Sequence, residues 1–338
     1  MPRKILVTGA TGKQGSALVR ALRPTSGDSQ TSEDIPFQII AITRDARSPG
    51  AQELEKEKHV RVVEGNLDSA DSLRRIFEEA KEEGGIWGVF CVLAFPGLGA
   101  SGESEEKQGK TAADIALEYG VSVYVYSSAE RGGEANDRLQ SGSGLAKVMI
   151  ERHVKSLGEK GLPWTIMRPG FFLENYEGFI GSITVAVMKN GLKKDTSLAV
   201  ITSEDIGKVA AGIFNNHEAF VHKELAVVGE TATMPQQEEA YQRATGRSMP
   251  SIPNPLAKML ISVNKATKGL IDHMESVNDA RVSGKHVEWE SQLQLTRQAN
   301  PDMQGVYEWA LSQKASSPQP TKSGWNQVSL WKLITGKM

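Results

Sequence analysis

Three glycines, Gly9, Gly12 and Gly15, carry the first chemical signal of this 338-residue chain. They follow a short apolar run, Ile5-Leu6-Val7, that reads as a buried strand. They precede Ala17, Leu18, Ala21 and Leu22, spaced as the apolar face of a helix. A strand, a glycine turn and a helix start present bare backbone N–H groups to a phosphate. One glycine lets the chain turn sharply, and another removes a side chain where a pyrophosphate must approach. The third lets the helix pack close to its strand. The spacing is GxxGxxG rather than GxGxxG. Alone it marks a turn; with its flanking strand and helix it marks a dinucleotide site.

The second signal ends the next strand, FQIIAITR (37–44). An acidic residue there would accept from a ribose 2′-hydroxyl, whereas an arginine pairs with a 2′-phosphate. Arg44, with Arg47 or Lys13 to help it, argues for NADP(H) over NAD(H). Asp45, the next residue, could instead serve a 2′-hydroxyl. Other chemistries find little support. Cys91 is the one cysteine, so an internal disulfide and a cysteine metal cluster are excluded, and it reads as packing within an apolar strand. The six histidines show no ligand spacing, since His217 and His222, five apart, do not share a helical face.

The elements that position these residues alternate. After the first helix comes the polar insertion 24–36, read as mobile, and then strands at 37–44, 60–68, 86–96, 121–128 and 162–172. Helices fall at 51–59, 69–83, 109–120 and 144–161, the last with Lys147 in its first turn. Residues 97–109 read as a flexible, glycine-rich loop. Six strands alternating with helices predict an α/β fold, a doubly wound parallel sheet of the NAD(P)-binding Rossmann type. All strand carboxyl ends then share the edge that holds the glycine turn. Asn66 and Asp68 end the third strand, where adenine-edge hydrogen bonds are commonly made in such folds. Residues 1–170 form the dinucleotide-binding domain, with 197–230 returning to the sheet. Residues 171–196 and 231–313 form a smaller, mainly helical substrate or lid region, with a helix or helix pair at 255–280 and a last helix at 301–313. The tail 314–338 reads as flexible, with Trp325, Leu330, Trp331 and Leu333 able to dock on the body or on a partner.

Hydrophobic residues make up 39% of the chain and charged residues 24%, as in a soluble globular protein. A net charge of −2 gives no global pull toward nucleic acid, and direct nucleic-acid binding is not expected. Neither a signal peptide nor a transmembrane stretch is read. The expected location is cytoplasmic, with the nucleus as a second compartment, and no membrane association is expected. Oligomeric state is not read from the sequence.

VTGATGKQG, TRD, EGNLD, EEKQGKTAADIALEYGV, VYVYSS, the Lys147 helix and MRPGFFLEN occur in the order seen in NmrA-like proteins. The first 216 residues, about two thirds of the chain, thus resemble this branch of the atypical short-chain dehydrogenase superfamily. It includes a fungal nitrogen-metabolite repressor, a mammalian NADPH sensor and fungal proteins called oxidoreductases. The resemblance implies NADP(H) held by Gly9, Ala10, Thr11, Gly12, Lys13, Gln14 and Gly15, with Arg44 and Arg47 on the 2′-phosphate. It implies Asn66 and Leu67 near the adenine and Leu93, Ala94 and Phe95 along the adenine-ribose side. Lys147 would reach the nicotinamide ribose, and Phe172, Leu173, Glu174 and Asn175 would close over the nicotinamide end.

Hydride transfer to a carbonyl needs a proton donor. Ordinary short-chain dehydrogenases use YxxxK, one helical turn, with the lysine lowering the tyrosine pKa. Here Ser143 stands four residues before Lys147, so that tyrosine is absent. Tyr124 and Tyr126 read as facing the helices or the sheet core, and Ser127 or Ser128 could polarise a substrate oxygen. Two readings follow. In one, Lys147 is the acid/base of a reductase acting on a small carbonyl, enone or quinone-type substrate. In the other, Lys147 only binds ribose, and the protein senses NADPH/NADP⁺ for a regulatory protein partner such as a transcription factor.

Overall fold

The computed structural model describes residues 2–23 and 36–315. The expected insertion at 24–36 and tail at 314–338 fall outside them, apart from Pro36 and residues 314–315. In chain order the strands are β1 (Arg3–Val7), β2 (Phe37–Thr43), β3 (Val60–Glu64), β4 (Gly88–Cys91), β5 (Val123–Ser127), β6 (Trp164–Pro169), β7 (Phe171–Phe172), β8 (Ser197–Ile201), β9 (Lys223–Val227) and β10 (Glu230–Thr233). The helices are α1 (Lys13–Ala21), α2 (Pro49–Glu55), α3 (Ala70–Lys81), α4 (Glu103–Glu118), α5 (Gly142–Gly158), α6 (Gly178–Gly191), α7 (Ser203–Asn215), α8 (Met234–Thr245), α9 (Asn254–Val263), α10 (Lys265–Val282), α11 (Trp289–Ala299) and α12 (Val306–Ala315).

Seven strands form one all-parallel sheet in the order β3-β2-β1-β4-β5-β6-β9. The doubly wound expectation holds. The winding reverses between β1 and β4, which opens a crevice at the carboxyl ends of those strands. Alternate side chains enter opposite cores. Ile5, Val7, Phe90, Val123 and Val125 pack with α1 and α7, while Leu6, Val89, Cys91, Tyr124 and Tyr126 pack with α3, α4 and α5. Close helix contact needs small residues: a Cβ on Gly207 of α7 would collide with the Ala17 backbone of α1.

Strand β8 departs from the expectation that 197–230 returns to the main sheet. Only β9 does so. β8 pairs with β7 and β10 in a separate three-stranded sheet. The cause lies at Gly170. Its N–H donates to Val227 O of β9 at 3.0 Å, while a Cβ there would strike the Ala199 carbonyl of β8. The chain thus passes from one sheet to the other at this glycine. The 255–280 segment is a pair, with Asn264 capping α10 through its side chain.

Other elements differ too, and the last helix, expected at 301–313, is α12 and starts at Val306. α4 starts at Glu103, so most of the segment read as a loop at 97–109 is helix. Glu103, Glu105 and Glu106 in its first turn complement the positive helix N-terminus. Gly109 is tolerated inside it because Ile150 of α5 fills the space; a Cβ would lie 2.5 Å from Ile150 Cδ1. α5 starts at Gly142, which puts Lys147 in the second turn rather than the first. α11 has no counterpart in the sequence reading. It covers the edge strand β9: Trp289 and Leu293 pack on Ala226 and Val228, and Thr296 Oγ1 donates to Ala226 O at 2.8 Å.

Candidate active site and cofactor cleft

The glycine turn is built on the end of β1. Thr8 bridges β1 to the segment after β4: its hydroxyl donates to Val92 O at 2.8 Å and accepts from Val92 N at 2.9 Å. Gly9 has φ +57°, and a Cβ there would sit 3.1 Å from Val92 O. Gly12 N donates back to Gly9 O at 2.9 Å. A Cβ on Gly15 would lie 2.7 Å from Ala10 Cα and strike the Gly9 carbonyl. α1 therefore starts hard against the turn. Its cap is Gly12, which has no side chain, and its first turn carries no acidic residue. The amides of that turn are open to an anion, and the cradle keeps its shape because three Cβ atoms are missing. These residues fit a dinucleotide pyrophosphate. Ala10 is buried and Thr11 exposed. Gln14 Oε1 accepts the Ser127 hydroxyl at 2.6 Å, which ties the turn to the end of β5.

The ends of the neighbouring strands continue the cleft. Arg44 and Arg47 are exposed beyond β2. Asp45, the possible competitor for a ribose hydroxyl, is engaged locally. Its Oδ1 accepts from Arg47 N at 2.8 Å, and its carbonyl accepts the hydroxyl of Ser48, the α2 cap, at 2.8 Å. Asn66 Oδ1 accepts from Asp68 N at 3.0 Å, and Leu67 is half-buried on the α3–α5 core. Asp68 binds Gln108 Nε2 at 2.7 Å and the Ser104 hydroxyl at 3.2 Å. The Gln108 bond leads in holding its carboxyl below the usual range, with Arg44 adding to it. Leu93 is buried, while Ala94 and Phe95 are exposed at the rim.

Lys147 has a partner that the sequence reading did not single out. Its Nζ donates to Glu105 Oε1 at 2.6 Å, and the Ser143 hydroxyl donates to Glu105 Oε2 at 2.5 Å. The Glu105 side chain is 2% exposed and that of Lys147 16%. Glycines deliver this contact. A Cβ on Gly102, the cap of α4, would lie 2.8 Å from Ala146 Cβ, and one on Gly142 would lie 2.8 Å from Ala100 O. With Gly109 against Ile150, the first two turns of α4 lie close along α5, and Glu105 reaches Ser143 and Lys147 together. The Gly102/Gly109 spacing and the acidic run were the available signals.

One turn beyond Lys147, Glu151 anchors α5 to the sheet. Arg131 grips it with two bonds of 2.7 and 2.8 Å, and Arg168 of β6 donates at 2.6 Å. Burial alone would raise the Glu151 carboxyl, but Arg168 and Arg131 hold it at about 2. No second acid stands in the cleft among the tyrosines of β5. Tyr124 and Tyr126 are fully buried, and burial pushes both phenols well above their usual range. Cys91 is fully buried too, and its thiol is pushed up. The Ser127 hydroxyl is committed to Gln14, whereas the buried Ser128 hydroxyl has no protein partner among the described residues.

The segment after β7 is placed as follows. Phe172 is half-buried against the α1–α7 core, and Leu173 is fully buried in the core of the smaller region. Glu174 Oε1 accepts from Ser203 N at 2.7 Å and the Ser203 hydroxyl at 2.5 Å, at the start of α7. Asn175 is exposed. Burial pushes the Glu177 carboxyl up, and Lys13 of the glycine turn opposes this. The Lys13 ammonium therefore lies within electrostatic range of the Glu177 carboxyl. Among the described residues no helix is long and apolar enough to cross a membrane.

Known proteins agree with this architecture. An NmrA-like family domain-containing oxidoreductase of Penicillium ochrochloron is 28% identical over 269 residues, covering 72% of this chain and 73% of that protein. The crystal structure of NmrA, a negative transcriptional regulator, in complex with NADP superimposes with a TM-score of 0.63 at 18% identity, covering 92% and 94% of the two chains. The NADPH complex of the quinone oxidoreductase QOR2 from Escherichia coli gives 0.64 at 19% identity, covering 91% and 99%. The match to the family itself spans residues 1–310, and the chain belongs to the NmrA-like family.

Proposed function

We propose that this protein is an NADP(H)-dependent oxidoreductase acting on a small carbonyl, enone or quinone-type substrate. The observation that carries the reading is Lys147 of α5, partly exposed and paired with the buried Glu105 carboxylate. The glycine turn would hold the pyrophosphate and Arg44 the 2′-phosphate, with Asp45 occupied by its own loop. Asn66 and Leu67 would flank the adenine, and Phe172 to Asn175 the nicotinamide end. NADPH, when bound, supplies a hydride. Lys147 Nζ would give a proton to the substrate oxygen: its N–H bond breaks, an O–H bond forms, and the electron pair stays on nitrogen. Ser128, which follows β5 and has an unpartnered hydroxyl among the described residues, would polarise that oxygen.

A second reading has its own support. Ser143, in the tyrosine's place, spends its proton on Glu105, and the NADP-bound structural neighbour is a transcriptional regulator. In this reading Lys147 binds ribose only, and the cofactor's redox state is passed to a protein partner. Single-turnover NADPH oxidation with a panel of quinones and carbonyls separates the two. Oxidation that is lost in Lys147→Met supports the reductase. Tight NADPH binding with no oxidation of any substrate overturns it in favour of the sensor.

A further inference from the structure

Glu105 has no explanation in packing. A carboxylate this deep between α4 and α5 must be compensated, and an apolar side chain of similar volume would fill the space without that need. It is compensated on both oxygens: Oε1 takes the Lys147 ammonium at 2.6 Å and Oε2 takes the Ser143 hydroxyl at 2.5 Å. Two consequences follow for the cleft. Ser143 has committed its only proton, so it is not a donor to substrate. Lys147 has three donors and has spent one. Its other two have no protein partner among the described residues, and its side chain keeps 16% exposure.

We propose that Glu105 is a positioning residue, whose carboxylate anchors one N–H of Lys147 and fixes the direction of its two remaining N–H groups, with Ser143 locking the plane of that carboxylate. This rests on the reading of Lys147 as the cofactor- and substrate-facing group. The backbone permits it. Gly102 against Ala146 and Gly109 against Ile150 let α4 approach α5 closely enough for the contact to form. The tyrosine–lysine pair of related enzymes is thereby exchanged for a carboxylate–lysine pair, with the acid on the lysine and the carboxylate on a different helix.

The test reads the apoprotein first. Amine-reactive acylation at mildly alkaline pH, followed peptide by peptide with mass spectrometry, reports how free and accessible each lysine amine is. Glu105→Gln should label Lys147 at least about fivefold faster than wild type, because the amine is no longer tied to a buried carboxylate. Lys189 and Lys208, paired elsewhere, should be unchanged. Glu105→Asp keeps the charge but withdraws the oxygen, and should fall between the two; it also serves if the Gln variant is too unstable to prepare. NADPH affinity, measured by fluorescence, should weaken in Glu105→Gln by about threefold to tenfold, and not at all when the substitution is added to Lys147→Met. Unchanged Lys147 labelling in both Glu105 variants overturns the inference. So does an equal loss of affinity in the two backgrounds. If Lys147→Met leaves NADPH binding and turnover intact while Glu105→Gln still speeds labelling, the carboxylate's hold on Lys147 stands and the reading of Lys147 as the cleft's working group falls.

Discussion

Removing Lys147 alone should destabilise the apoprotein far more than a lysine at a helix surface normally would. Exposed ion pairs contribute about 0–1 kcal/mol. The Lys147–Glu105 pair is in another class, with side chains 16% and 2% exposed and a 2.6 Å contact. Lys147→Ala leaves Glu105 Oε1 without its donor and only the Ser143 hydroxyl on Oε2. Breaking a buried pair from one side costs about 3–5 kcal/mol, because the surviving charge is stranded. Taking both charges away should not. In Lys147→Met with Glu105→Gln, methionine replaces the lysine stem and glutamine still accepts from Ser143, so stability should return to within about 1–2 kcal/mol of wild type. Urea unfolding of the apoprotein by tryptophan fluorescence measures this, as shifts in midpoint at constant slope. The reasoning is refuted if Lys147→Ala costs less than about 1 kcal/mol, or if the double variant is no more stable than the single one.

Three other outcomes follow from the cleft and its supports. Arg44→Ala should raise the Kd for NADPH by about tenfold or more and leave NADH within about twofold, since a charge-assisted bond to phosphate is worth about 1.5–3 kcal/mol; equal changes for both nucleotides would remove the arginine from the 2′-phosphate. Gly15→Ala forces a Cβ to within 2.7 Å of Ala10 Cα and should cost about 1–3 kcal/mol while abolishing nucleotide binding, read by melting and fluorescence titration. Unimpaired NADPH binding in that variant would show that the turn has another role. The Glu151 carboxyl, lowered from 4.5 to about 2, contributes stability that is complete above pH 4.5 and disappears as the pH falls toward 2. The amount is about 3 kcal/mol. Glu151→Gln should lose a comparable amount at neutral pH and flatten the acid limb of the stability curve, so a variant with the wild-type acid limb would contradict the pairing.

What the sequence made legible was the geometry that is local. Gly9, Gly12 and Gly15 act within one turn of chain, on neighbours that are also neighbours in sequence, and the strand and helix beside them are visible as apolar runs. The position of Arg44 is legible for the same reason, as the first residue beyond a strand that is visible as an apolar run. β8 was legible as a strand but not in its partner, because its sheet is chosen at Gly170, 27 residues earlier, by which carbonyl can approach a missing Cβ. α11 has Trp289 and Leu293 among polar residues, too few to mark an apolar face, and it becomes helix because β9 offers an edge to cover. Glu105 is the most instructive case. A glutamate in the run ESEE reads as solvated, and three of its properties come from elsewhere: its burial, its lysine 42 residues away and its serine 38 away. Yet the reason for its burial was written in small residues. Gly102 and Gly109, seven apart, lie on the face of α4 that meets Ala146 and Ile150, and a helix carrying such a face must pack close to a partner. A charged side chain between two such glycines has no route to water along that face, so it needs an opposite charge on the other helix. On α5, directly after Ala146, that charge is Lys147.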